Sequence, residues 1–181
     1  MLATISRDKA LRELAIEYMA VRAMLDELTD EEMTRPNTIE YGLYSGQELS
    51  FKDLLAHLTT YEVLTLEAID AWKRGKKHPS IDEMRSPPDQ YRIHHAGIED
   101  RRHLSLEDMV DQSISTQSTL TATLTQLSDR DWHTSAPFAT ATPLNLGGVI
   151  EIILVAPPRP PYRHLPVHIP DTTAYIRKLR G

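Results

Sequence analysis

The run from Ser50 to Trp72 constrains the fold of this chain more than any other stretch. Ser50 is a helix N-cap with Asp53 three residues on, the reciprocal pairing that satisfies two orphan amides at once. Leu54, His57, Leu58, Tyr61, Leu64, Thr65, Ala68 and Trp72 then recur at intervals of three and four, so they share one stripe of a long helix. The basic cluster Lys73-Arg-Gly-Lys-Lys77 falls where this helix should end, with cations facing the negative end of the dipole and Gly75 suited to a left-handed cap.

Two further stripes have the same period. One runs from about Ser6 to Leu28 through Leu11, Leu14, Ala15, Tyr18, Val21 and Leu25, and the other opens at Ser105 with Asp108 and continues through Met109, Ile114, Leu120, Leu124 and Leu127. The second is rich in Ser and Thr, weak helix formers, so packing rather than propensity should hold it. The ends of these two helices echo each other, Leu25-Asp-Glu-Leu-Thr-Asp-Glu-Glu-Met against Leu124-Thr-Gln-Leu-Ser-Asp-Arg-Asp-Trp, which suggests two related halves with helices one and three equivalent. The expected architecture is all-α, a four-helix bundle with long crossover loops forming one domain over residues 1–181.

The segments between the stripes read as irregular. Pro36 to Leu49 could hold a short hairpin, and His78 to Arg102 reads as solvated, with a separate metal site at His94, His95 and His103 set aside on that ground. In the last segment Ala156-Pro-Pro-Arg-Pro-Pro161 cannot be helical. Pro166 is tolerable only in a first helical turn, and Pro170 should break or restart the helix with Asp171 as cap.

Composition removes whole classes of function. The formal charge of −6 comes from interspersed acids and bases, with no basic stripe that could follow a phosphate backbone, so nucleic acid is not an expected partner. The absence of cysteine excludes disulfides, thiolate metal sites and a cysteine nucleophile, and fits a cytoplasmic protein. The longest apolar stretch, Val149 to Ala156, contains Glu151 and is too short to span a bilayer. No serine triad, P-loop or dinucleotide fingerprint occurs.

Three histidines remain. His57 falls on the apolar stripe of the second helix, where an unpartnered imidazole is costly to bury, and His164 and His168 stand four apart, one above the other if helical. The pair alone decides little, since 8 histidines in 181 residues give about 0.35 such pairs by chance. Two bland readings compete: His57 as a hydrogen-bonded core residue and the pair as a surface accident. Tyr61, one turn beyond His57, either reaches the site with its hydroxyl or fills space; Asp53, one turn before it, either orients His57 or merely caps; Trp72 and Trp132 are packing residues.

With Phe51-Lys-Asp-Leu-Leu-Ala-His57-Leu, the stretch Tyr61 to Gly75, and Tyr162-Arg-His164-Leu-Pro-Val-His168-Ile-Pro-Asp171 in view, the chain resembles the DinB-like (DinB/YfiT) metalloenzyme superfamily, which includes ClbS/DfsB-type proteins and thiol S-transferases. The resemblance covers most of the chain. It implies that His57, His164 and His168 are ligands of one divalent metal in an open site, zinc or nickel first and iron next, unless the prolines swing one imidazole away and bring in a carboxylate such as Asp171. Such an ion would activate a bound nucleophile near neutral pH, with Tyr61 as the candidate catalytic side chain. Two function classes follow. One is a metal-dependent enzyme acting on a small molecule, by thiol transfer from a low-molecular-weight thiol or by hydrolysis of an electrophile. The other is a protein that binds or sequesters a small molecule in stress or self-protection without turnover. Relatives of this type imply a homodimer, for which Tyr41, Leu43 and Tyr44 offer apolar surface.

Overall fold

A computed structural model describes residues 1–39, 49–155 and 163–181. The described residues form helices α1 (Arg7–Glu27), α2 (Asp30–Thr34), α3 (Phe51–Lys73), α4 (Ser80–Glu83), α5 (Pro87–Glu99), α6 (Leu106–Gln126), α7 (Asp129–His133), α8 (Leu146–Val155), α9 (Leu165–His168) and α10 (Thr172–Arg180). The protein is all-α, a bundle built on α1, α3, α6 and α8. No helix among the described residues is long and apolar enough to cross a membrane.

The three stripes become α1, α3 and α6, and each begins at the residue its sequence nominates. Ser6, Ser50 and Ser105 accept hydrogen bonds from Lys9, Asp53 and Asp108, and α3 has the full reciprocal box. Asp53 is therefore engaged in capping: its carboxylate accepts from the Ser50 amide at 2.8 Å and the Ser50 hydroxyl at 2.7 Å. α3 ends at Gly75, whose φ of 69° is the left-handed conformation a C-cap requires. In α6 the hydroxyls of Ser118, Thr119 and Thr125 bond back to carbonyls four residues earlier, while Met109, Ser113, Gln117, Leu120 and Leu124 form the buried face.

The echo between the halves extends beyond the helix ends. α1 and α6 are each 21 residues long. Each leads into a five-residue helix closed by a capping box, Thr29 with Glu32 in α2 and Ser128 with Asp131 in α7. Each short helix is followed by a single antiparallel bridge, Ile39 to Leu49 and Ser135 to Asn145, from which the next bundle helix departs. Ile39 and Leu49 bridge at the edges of the stretch expected to hold a hairpin; residues 40–48, Tyr41, Leu43 and Tyr44 among them, lie outside the described residues.

Two expectations need correction. The three stripes leave the fourth bundle helix unassigned, and Val149 to Ala156 is noted only as an apolar stretch; that helix is α8, Leu-Gly-Gly-Val-Ile-Glu-Ile-Ile-Leu-Val, every residue of which is buried. A helix enclosed on all sides has no polar face, so it shows no 3.6-residue alternation. The segment His78 to Arg102 is not a solvated loop but carries α4 and α5. Ile81, Met84, Ile93, His94, Gly97 and Ile98 are buried there, and Pro87 opens α5 at a position where a missing amide costs nothing.

α3 is the central element, packed against α6, α8 and α5. Phe51, Leu54 and Leu55 are fully enclosed at its start, and full burial of side chains of this size stabilises by about 1.5–3 kcal/mol each. Trp132 is also fully buried, its indole N–H donating to the Ile5 carbonyl at 3.0 Å, and Trp72 packs edge-on against Phe138. The terminal segment breaks as its prolines require: α9 is a single turn, and Asp171 starts α10 by accepting from the Ala174 amide at 3.0 Å.

Candidate functional site

His57 lies on the inward face of the second turn of α3 and is 2% exposed; His164, the N-cap of α9, is 3% exposed. The structure brings them together with His168: one ligand nitrogen from each imidazole lies within 4.8 Å of the others. The Nε2 atoms of His57 and His164 stand 3.2 Å apart. Two imidazole nitrogens at about 2.0–2.1 Å from one tetrahedral ion are separated by about 3.3 Å, so the spacing fits a shared divalent metal. His168 is only half-buried and stacks on His164, ring centroids 5.1 Å apart and planes at 18°. It also lines a cleft of about 200 Å³ with Thr38, Pro170, Asp171 and Tyr175.

Both buried imidazoles are held from behind. The Nδ1 of His164 faces the Leu154 carbonyl of α8 at 3.4 Å, and the Nδ1 of His57 lies 2.7 Å from the Nδ1 of His94 on α5. Ligating histidines characteristically have their second nitrogen engaged in this way, which leaves the first directed at the metal. Tyr61, from α3, also stacks on His164, centroids 5.0 Å apart, and meets His57 edge-on at 4.6 Å. Asp171 serves as the α10 cap.

Sequence reasoning missed three residues here. His94, set aside with its segment, is fully buried against His57, while His95 is half-buried and His103 exposed. Its signal is the pattern Ile93, His94, Gly97, Ile98, an inward stripe after a proline start. Glu17 and Glu62 are the other two, 6% and 4% exposed on the inward faces of α1 and α3. Glu17 accepts the Leu165 amide at 2.9 Å and so grips the turn that carries His164. Burial pushes its carboxyl up to about 7 against the opposing pull of the Leu165 and His164 amides and Arg163. Burial raises Glu62 well above the carboxylate range, with Tyr18 beside it and Glu17 adding repulsion. A charged residue at an interior position of an apolar stripe, Leu14-Glu17-Val21, was the available sign.

The profile of the DinB superfamily matches residues 13–155. The chain belongs to the DinB superfamily. The matched span includes His57 and His94 and ends before His164 and His168. Among solved structures, the chain is similar to the colibactin self-resistance protein ClbS in complex with a double-stranded DNA. The identity is 15%, the TM-score is 0.66, and 83% of this chain and 88% of that one are covered. It is also similar to an uncharacterised protein from Escherichia coli UTI89, at 15% identity and TM-score 0.69, over 98% of this chain and 92% of that one. No curated protein matches the sequence. At such identities the two structures speak for the DinB-like fold alone.

Proposed function

We propose that this protein is a metal-dependent enzyme acting on a small molecule, with His57, His164 and His168 as the ligands of one divalent ion, zinc or nickel. The observation that carries the reading is the convergence of three imidazoles from α3 and the α9 turn, two of them buried, with ligand nitrogens within 4.8 Å. Three neutral nitrogen ligands leave a coordination position open, and an ion held this way supplies Lewis-acid activation of a thiol or water near neutral pH. The chain's own residues do the rest. α8 and α5 hold the buried rings from behind, the cleft beside His168 admits the small molecule, and Tyr61 offers a phenol at the ring stack for proton exchange with it. The reactions supported are thiol transfer from a low-molecular-weight thiol and hydrolysis of an electrophile.

The test is metal analysis of protein purified without an affinity tag, followed by thiol-transfer and hydrolase assays. One ion per chain, lost in His57→Ala, with turnover reduced in Tyr61→Phe at unchanged metal content, is the expected result. A second reading, small-molecule sequestration in self-protection, draws support from the likeness to ClbS, a colibactin self-resistance protein. Metal-free protein that still binds an electrophile stoichiometrically without turning it over would favour it.

A further inference from the structure

His57 has a neighbour that the three-ligand arrangement does not use. His94 is fully buried on α5, its ring 4.4 Å from that of His57 at 75°, with the two Nδ1 atoms 2.7 Å apart. A contact this short between two ring nitrogens is a hydrogen bond with one donor and one acceptor. If His57 directs the lone pair of Nε2 toward His164 and His168, its single proton must sit on Nδ1. The Nδ1 of His94 is then the acceptor, and His94 carries its own proton on Nε2. The orientation of one ring thus determines the tautomers of both.

Backbone geometry makes this contact available. One turn further along each helix, at Thr60 on α3 and Gly97 on α5, a Cβ on the glycine would lie 2.7 Å from Thr60 Cγ2 and 2.9 Å from Thr60 Cβ. Only a residue without a side chain lets α5 come this close. Arg101 pins the approach, its guanidinium donating to the Thr60 hydroxyl and to the Gly97 carbonyl, both at 3.0 Å.

We propose that His94 is a positioning residue for the metal site: it accepts the Nδ1–H of His57 and thereby fixes the tautomer and ring orientation that present Nε2 to the ion, with Gly97 setting the helix approach that brings it within reach. This rests on the three-histidine reading. It assigns to an imidazole the role that a carboxylate or backbone carbonyl commonly fills behind a ligating histidine, where loss of the acceptor typically weakens metal binding about 10–100-fold.

The experiment is zinc affinity by competition with a chromogenic chelator for the unaltered protein and for His94→Leu, His94→Asn, Gly97→Ala and His57→Ala. His94→Leu keeps apolar volume but has no acceptor and is expected to bind zinc about 10–100-fold more weakly. His94→Asn, whose amide oxygen can accept the same proton, is expected to recover most of the loss, and Gly97→Ala to weaken binding by pushing α5 away. The zinc-loaded, unaltered protein gives an independent readout: histidine nitrogen-15 shifts should report a protonated Nδ1 on His57 and an unprotonated Nδ1 on His94. Equal affinity in the Leu variant and the parent, equal loss in the Leu and Asn variants, or a proton on His94 Nδ1 would each overturn the inference while leaving the metal site standing if His57→Ala still abolishes binding. Zinc retained by His57→Ala would instead bring down the three-histidine reading, and this inference with it.

Discussion

The two pieces of chain that meet at the site, α3 and α9, differ in where their rigidity comes from. α3 carries His57 inside a 23-residue helix closed by its own Ser50–Asp53 box and its own Gly75 cap. α9 is four residues long, and the side chain of its N-cap, His164, makes no capping hydrogen bond. A single turn does not sustain itself, because helix nucleation is unfavourable until further bonds follow. Its order is borrowed from Glu17 of α1, which grips the Leu165 amide, from the Leu154 carbonyl of α8 behind His164, and from Asp171, which begins α10 directly afterwards. One half of the site is therefore specified by neighbours in sequence and the other by residues up to 148 positions away.

The largest expected effect removes the meeting point itself. His57→Ala and His164→Ala each leave two imidazoles and a gap, so metal content after dialysis against a weak chelator should collapse from one ion per chain to nearly none in both, rather than fall by a third. Elemental analysis checks this. A His57→Ala protein that retained full stoichiometric metal would leave α3 outside the site and void the comparison.

The borrowed support is tested next, through Glu17. The folded carboxyl titrates near 7 and the ordinary value is 4.5, so between these pH values the folded state holds a proton that the unfolded chain has released. Stability should therefore fall as pH rises from about 4.5 to 7, by on the order of 3 kcal/mol, and stay at the lower level above. Glu62, also raised by burial, acts in the same direction. Glu17→Gln keeps an acceptor for the Leu165 amide but does not titrate: it should match the parent at pH 4 and exceed it at pH 8 in urea unfolding. Glu17→Ala should lose about 1–3 kcal/mol even at pH 4, because a buried amide is left without its acceptor. Its zinc affinity should fall too, since His164 loses its anchor. Glu17→Gln less stable than the parent at pH 8 would contradict the assignment.

The same contrast explains what the sequence made legible. α1, α3 and α6 could be read because each is amphipathic and locally capped, and the restart at Asp171 could be read because proline chemistry is local. His57, His164 and His168 could be nominated together, but their distance could not, since it depends on how α8 positions the α9 turn. α8 was hidden by complete burial, which erases periodicity. α5 was hidden because a pair of prolines and a run of charges suggest a loop, although Pro87 is at a position that begins helices. Glu17 and His94 were missed for a shared reason: each is a polar residue on an inward face, and its meaning lies in a partner on another helix, Leu165 or His57, that no local pattern announces.

The smallest expected effect sets two caps of the same chemical kind against each other. Ser50 caps α3 by accepting from the Asp53 amide, and Asp171 caps α10 by accepting from the Ala174 amide. Ser50→Ala and Asp171→Ala should each cost about 1 kcal/mol, the usual loss when an N-cap acceptor is removed, read as similar shifts in urea midpoint. Their consequences at the site should differ. His57 lies two turns inside α3, where flanking turns, α6 and α8 hold the helix whatever happens at its first amide, so Ser50→Ala should bind zinc as the parent does. His168 is three residues before Asp171 on a turn with no cap bond of its own, so fraying the start of α10 loosens His168 directly and zinc affinity should fall several-fold. Equal zinc affinity in the two variants would mean that α9 holds its shape without α10, and the division between self-supported and borrowed order would then lie at Glu17 alone.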